Sequence, residues 1–285
     1  MPSTTAELLD LLDLEDLDLD LFRGRQPHTT WQRTFGGQVL AQALVAGVRT
    51  TPERTAHSMH ALFLDAGRTD LPMIFDVERI RDGRTFSTRR VNARQHGRMI
   101  FTAELSFKNR EDGPDHCPTL TQALEQMFGR PMPTVKEWDA LDVRLASDGS
   151  QLVDPNHVTH LSLWVRTTAS LPDDRVVQRA ILAYISDISL MAGAVMPHLG
   201  SVPPGMVVNP ASLDHAMWFH RTAEADRWML YDQVSPNASG LLGFSMGRPM
   251  QDGKLIASCC QEGVMRLMDA NDLDALVTFP FGRSE

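Results

Sequence analysis

Asp187 has the clearest capacity for chemistry in this chain. It lies in the stretch Asp174 to Gly200, DRVVQRAILAYISDISLMAGAVMPHLG. There Val176, Val177, Ala180, Ile181, Leu182, Ile185, Ile188, Leu190 and Met191 leave little room for a polar face. Pro172, Asp173 and Asp174 form a helix-entry signal and Pro197 and Gly200 an exit, so the stretch predicts one buried helix with a carboxylate at its middle. A carboxylate there is costly unless hydrogen-bonded or used, and burial raises its pKa towards that of a general base. Gln261 is the second candidate. Alternation along its strand-like segment puts Leu255, Ala257, Cys259 and Gln261 on one face, so the amide points among apolar neighbours and needs partners. On residues alone two accounts stand together: a base with the amide that positions it, or a polar pair that satisfies itself.

Other groups carry weaker signals. Gly36-Gly37-Gln38 opens a second apolar helix. Its backbone N–H groups suit an oxyanion or a phosphate, and its glycines equally suit a close helix–sheet approach. Arg81, Arg84, Arg89 and Arg90 flank a turn, where charges are solvated or meet phosphates. Gly243-Phe244-Ser245-Met246-Gly247 fits G-x-S-x-G, but a strand pattern and a hairpin follow it where a nucleophile elbow needs a helix. Asp214 and His215 are strand neighbours facing opposite sides, which leaves either one a supporting role at most. His57 and His60 read as packing or hydrogen-bonding strand residues, and Cys259 and Cys260 as small buried hydrophobes. Asn237-Ala238-Ser239 matches a glycosylation acceptor without a secretory context.

The elements that position these groups recur in two sets. Thr4 and Glu7 fit a capping box opening a short helix, and Leu17, Leu19 and Leu21 alternate with Asp16, Asp18 and Asp20 as a strand would. A helix is predicted from Gln38 to about Val48. Strands are predicted at His57–Asp65, Leu71–Arg81, Thr85–Gln95 and Arg98–Phe107, with hairpins at Asp82-Gly83 and His96-Gly97. Residues 111–155 are rich in proline and read as a linker with one short helix near Gln122 to Phe128. Then the order repeats: a strand at His160–Thr167, the Asp187 helix, and strands at Met206–His220, Trp228–Ser235, Gly240–Met250 and Lys254–Arg266, with Asp252-Gly253 as a hairpin. HGRMIFTAELSF from His96 lies against DGKLIASCCQEG from Asp252, and HSMHALFL from His57 against DHAMWFHR from Asp214. Two copies of one unit follow, residues 1–110 and 156–285, each an antiparallel sheet curled around an apolar helix.

Composition bounds the rest. The chain has 285 residues, 42% hydrophobic and 22% charged, an ordinary globular balance. A formal charge of −9 argues against a general nucleic-acid or anionic-membrane surface. Three cysteines without a CxxC pair suit a reducing compartment. The N-terminus lacks the pattern of a secretory signal, and no apolar run approaches the ~20 residues of a membrane span. A cytoplasmic location is expected, with neither a metal nor a cofactor.

FGGQVLAQAL (35–44), HSMHALFL (57–64), RDGRTFSTRRV (81–91), SLDHAMWFHR (212–221) and QEGVMR (261–266) together resemble the acyl-CoA thioesterase II family over nearly the whole chain. The resemblance implies an α+β double hotdog fold and hydrolysis of fatty acyl-CoA by a water held between an Asp, a Thr or Ser, and a Gln. By position these are Asp187 in YISD, Ser212 two residues before the Asp-His pair, and Gln261 opening Gln-Glu-Gly. Many family members carry Thr at the Ser212 position, and losing the methyl frees the rotamer. Such a reaction needs a positioned water, a base and oxyanion donors. Amides near Gly36, Gly37 and Gln38 are expected to serve the oxyanion, and Arg84 and Arg90 the CoA phosphates. Acyl-CoA is then the expected partner, and a homo-oligomer the expected assembly. Two alternatives remain: a hotdog enoyl-CoA hydratase and a non-catalytic acyl-CoA-binding regulator.

Overall fold

A computed structural model describes residues 1–117, 138–146 and 159–271. The short helix expected near Gln122 to Phe128 lies outside these residues. In chain order the elements are α1 (Thr5–Leu12), β1 (Glu15–Asp18), β2 (Leu21–Gly24), α2 (Gly36–Arg49), β3 (Thr55–Phe63), β4 (Met73–Asp82), β5 (Phe86–Gln95), β6 (Arg98–Lys108), β7 (Leu141–Leu145) and β8 (Thr159–Thr167). There follow α3 (Arg175–Ser186), α4 (Leu190–Val195), a 3-10 turn (Met196–Ser201), β9 (Met206–Ser212), β10 (Asp214–Phe219), β11 (Met229–Ser239), β12 (Leu242–Gln251), β13 (Lys254–Leu255) and β14 (Ala257–Asp269).

All the strands join one antiparallel sheet in the order β1-β2-β4-β5-β6-β3-β10-β14-β12-β11-β8-β7, with β9 beside β14 and β13 beside β12. That order is a palindrome. Reading outwards from the central β3–β10 pair, β6 matches β14, β5 matches β12, β4 matches β11, β2 matches β8 and β1 matches β7. The expected repeat is therefore present as an approximate twofold, and its halves share one hydrogen-bonded sheet. Local detail follows it. His96-Gly97 and Asp252-Gly253 both turn with positive φ at both residues, the geometry of a two-residue hairpin. The amides of Leu64 and Asp65 both reach the Ile100 carbonyl, and those of His220 and Arg221 both reach that of Ile256.

The core is built where the curled sheet meets the helices. From Gly37 to Gly47 every side of α2 is buried, and Gln178 together with Ala180 to Ser186 makes α3 nearly as dry. The two helices pack on each other without an intervening layer. A Cβ added to Gly37 would lie 2.4 Å from the Tyr184 carbonyl oxygen, a backbone atom that cannot step aside. Aromatic rings close this junction, with Phe35 4.9 Å from Trp138 and 5.0 Å from Tyr184.

Several expectations change. The long helix is broken: α3 ends at Ser186 and Asp187 is its C-cap, with φ −102° and ψ −3°. The 27-residue run Arg175–Ser201 is apolar and long enough to cross a membrane by composition, contrary to the sequence reading, but 83% of its most apolar 18-residue stretch is buried in the fold. Leu17, Leu19 and Leu21 do not share one strand, because the chain turns at Leu19 and Asp20, where Asp20 has φ 56° and ion-pairs with Arg79. Leu19 is consequently 81% exposed. Residues 138–146 are not linker, since β7 pairs with β8 along its whole length. The expected strand Met206–His220 is two strands divided at Leu213. The alternation read from Leu255 slips at the buried Ile256, so Leu255 packs in a small separate cluster with Leu230 and Met250. Half of the capping box forms: the Glu7 amide bonds to Thr4 Oγ1, while the Glu7 carboxylate accepts from the amide and hydroxyl of Ser3, one residue before the cap.

The contact at Gly37 yields a direct prediction. Gly37→Ala should lower stability by about 2 kcal/mol or more, since a methyl must push two helices apart. Urea unfolding checks this, and an unchanged midpoint would mean that the helices do not approach this closely.

Candidate active site

Five elements converge where α3 ends. The α3 C-cap carries Asp187, the N-terminus of α2 presents Gly36 and Gly37, and β9, β10 and β14 bring Ser212, His215 and Gln261. Of these, Gly36, Asp187 and Ser212 line a cavity of about 440 Å³ together with Phe35, Phe63 and Trp138, whereas Gly37, His215 and Gln261 lie behind its wall. The carboxylate lies against Gly36, where an added Cβ would stand 2.6 Å from Asp187 Oδ2. Burial raises its pKa to about 7, while the Gln261 side chain and the Gly37 backbone N–H pull it the other way. Asp187 nonetheless keeps partial exposure towards the cavity. It is withheld from bulk solvent yet reachable, as a base for a bound water must be.

Gln261 is fully buried, and its Nε2 group donates to Ser212 Oγ. On its other side Oε1 lies 2.9 Å from His215 Nδ1, and His215 Nε2 lies 2.9 Å from Ser186 Oγ. The polarity of this chain can be deduced. His215 is wholly buried and burial lowers its pKa to about 4, so it is neutral and carries one N–H. The carboxylate beside Gln261 requires the amide NH₂, not its oxygen, on the Asp187 side. Oε1 must therefore accept from His215 Nδ1–H, which leaves Nε2 an acceptor beside Ser186 Oγ, whose single proton is shared between Nε2 and the Ala183 carbonyl at 2.8 Å. His215 thereby fixes the orientation of the Gln261 amide and so which groups face Asp187.

His215 is expected from sequence to have a supporting role at most, and its signal is strand alternation, which aims it to the side opposite Asp214. Asp214 indeed turns away, accepting from the Glu262 amide at 2.7 Å. Ser245 sits opposite Gln261 in the β12–β14 ladder with no helix after it, so it is no nucleophile elbow. Cys259 is buried with its thiol pushed up to about 12, whereas Cys260 lies half-buried on the other face.

The remaining expectations are corrected. The backbone N–H of Gln38 is bonded to the Phe35 carbonyl at 3.1 Å, and its side chain ties down Arg25 and Gln26 away from the cavity. It has no donor left for an oxyanion. Gly37 spends its N–H on Asp187. Arg84 is exposed at the β4–β5 hairpin, and Arg90 pairs with Glu104 and Glu78 on the sheet. Neither lines the cavity. Their strand positions place them at the wrong end and face, a matter of register that residue type does not reveal.

With this geometry in view, comparison with known proteins is informative. The family model described as acyl-CoA thioesterase matches residues 137–264, and that described as acyl-CoA thioesterase N-terminal domain matches residues 25–108. The chain belongs to the acyl-CoA thioesterase family. It is 36% identical to the human protein named acyl-coenzyme A thioesterase 8, over 90% of this chain and 88% of that protein. It is 36% identical to acyl-CoA thioesterase 2 of Haemophilus influenzae, over 94% of this chain and all of the relative. The solved acyl-CoA thioesterase II TesB2 of Mycobacterium marinum superposes with a TM-score of 0.80 at 38% identity, covering 92% of this chain and 98% of that one. The matched regions cover most of both halves of the sheet, and Ser186, Asp187, Ser212, His215 and Gln261 all lie within residues 137–264.

Because the folded pKa of Asp187 is raised, the sign of its effect on stability is fixed. The folded state holds the proton more tightly than the unfolded state between its ordinary value of 3.8 and about 7. Stability from the neutral carboxyl is therefore present at low pH and lost as pH rises through that window. Relative to Asp187→Asn, in which other titrations cancel, the native chain should lose roughly 2 to 3 kcal/mol between pH 5 and pH 8. Urea unfolding of both proteins at the two pH values checks it, and a constant difference would contradict the raised pKa.

Proposed function

We propose that this chain hydrolyses fatty acyl-CoA to fatty acid and CoA, with Asp187 as general base for the attacking water. The observation that carries this is the buried, cavity-facing carboxylate with a raised pKa beside two polar side chains whose orientation is locked. A water between Asp187 and Ser212 gives its proton to the carboxylate as its oxygen bonds to the thioester carbonyl carbon. The tetrahedral intermediate collapses with cleavage of the C–S bond, and the sulfur leaves as a thiolate that recovers the proton held by Asp187. No acyl-enzyme is required, since a thiolate leaves readily. Ser212 and Gln261 hold the water, and His215 positions Gln261. The oxyanion is assigned to the backbone N–H of Gly36, which borders the cavity and occupies the first helical position, where no intrahelical acceptor exists. The apolar wall of Phe35, Phe63, Phe101 and Trp138 suits an acyl chain.

Asp187→Asn and Gln261→Ala should each lower kcat for a long-chain acyl-CoA by roughly 10²- to 10⁴-fold. His215→Ala should lower it by on the order of 10- to 100-fold while KM moves little, because the amide is misplaced and not removed. The kcat/KM of the native chain should rise with pH through one ionisation near 7. Release of free thiol from acyl-CoA measures all of these. Folded Asp187→Asn with full activity, or a rate independent of pH from 5 to 9, would defeat the assignment. Binding of acyl-CoA with no thiol release in the native chain would favour a non-catalytic binder.

A further inference from the structure

The approximate twofold that relates the halves must carry the cavity at Asp187 onto a second position, at the opposite ends of the same elements. The structure has a cavity there. About 690 Å³ in volume, it lies where β3 begins, where β6 and β10 end and where α3 starts, lined by Thr55, His57, Lys108, Phe219 and Arg175 among others. The matching carbonyls of Ile100 and Ile256 fix which residues correspond. Counting along the strands, Met59 stands for His215, Leu105 for Gln261 and Ala56 for Ser212, while Thr50, the C-cap of α2, stands for Asp187. None of the four substitutes is a carboxylate or an amide. The second position has a cavity without the hydrolytic set.

What lines it instead is positive charge. Lys108, Arg110, Arg175, Arg179 and Arg221 border the cavity, against the carboxylates Glu111 and Asp115, and Asp115 is already paired with Arg221. Arg179 is the telling member. Its Nε is buried and no hydrogen bond or ion pair holds the side chain among the described residues. Burial and the neighbouring Arg175 lower its pKa to about 10, so it is still a cation at neutral pH. A mostly buried, unpaired guanidinium is a cost that a bound anion removes. The α3 N-terminal amides do not contribute, since the Asp174 carboxylate caps Val176 and Val177.

We infer that this second cavity is a non-hydrolytic binding site for a phosphate-bearing small molecule, seated on Arg179, Arg175 and Lys108. Cations supplied by separate elements around a space of this size favour an anion with several oxygens over a lone carboxylate. The inference goes beyond the proposed hydrolysis and does not depend on it.

Calorimetric titration of the full chain with inorganic pyrophosphate and with coenzyme A tests it, using the native protein, Arg179→Gln and Lys108→Gln. These two side chains lie on different elements, so both variants failing to fold is not a confounding route, and thermal unfolding verifies each. The expected result is saturable binding weakened roughly tenfold or more in both variants, persisting in Asp187→Asn, with acyl-CoA turnover changed less than twofold in the two cavity variants. Loss of pyrophosphate binding identifies the bare phosphate groups as the determinant, and loss for coenzyme A alone identifies a nucleotide carrier of the same groups. Affinities for both probes that are unchanged in both variants, or no binding of either probe to the native chain, overturn the site. Failure of Asp187→Asn to lose turnover would defeat the hydrolytic assignment and leave this test untouched.

Discussion

The close approach of α2 to α3 is the constraint on which the site depends. Two apolar helices inside one curled sheet can touch only where side chains are small, and here Gly36 and Gly37 meet the end of α3. Gly37 lets the Tyr184 carbonyl in, and Gly36 makes room for the Asp187 carboxylate. The same contact delivers the Gly37 N–H to that carboxylate. Close packing and electrostatics are thus one feature: glycine is needed for the approach, and the approach leaves a helix N-terminal amide pointing at an anion. Of the two accounts of the glycines open at the level of sequence, the close approach is to a helix and not to the sheet, and it is joined to anion binding, with Asp187 itself as the anion.

A buried polar chain needs a polarity as well as partners. The Gln261 amide has two ends of opposite character, and in an apolar surround either orientation is of similar energy until a neighbour decides. Asp187 decides from one side and neutral His215 from the other, with the Ser186 hydroxyl completing the series. Bonded in series, Ser186, His215, Gln261 and Ser212 constrain one another's orientation. A helix continuing through Asp187 would have aimed this carboxylate by the helical repeat. Ending α3 at Ser186 lets it turn into the cavity.

Much of this was legible in the residues. Two-residue hairpins at His96-Gly97 and Asp252-Gly253, apolar helices and the Thr4 side-chain cap all act over a few residues, where sequence alone determines the outcome. The break at Asp187 was hidden because Ile188, Leu190 and Met191 keep the apolar pattern going, so composition continued where the backbone did not. β7 was hidden because its partner β8 lies across the segment between them, and LDVRL is too short to declare itself. Gln261 and Asp187 were recognisable as buried polar residues, but the strand register that places His215 between Gln261 and Ser186 is a tertiary fact. Arg84 and Arg90 show the converse. Their charge was plain, and only the register shows that it lies at the far end of the sheet from Asp187.

The doubled architecture explains why the position related to Asp187 looks as it does. Polar groups buried in a dry sheet cost free energy unless each is satisfied. In the second half that cost is met by a chain of four hydrogen-bonding side chains. In the first half the corresponding strand positions hold Met59 and Leu105, which pair across β3 and β6 and are fully buried. Replacing a satisfied polar pair by an apolar one of similar shape is close to neutral for stability, so the fold tolerates either solution at either end. What distinguishes the ends is what each keeps: a buried carboxylate beside an oriented amide at one, and the Arg179 guanidinium, without a partner among the described residues, at the other.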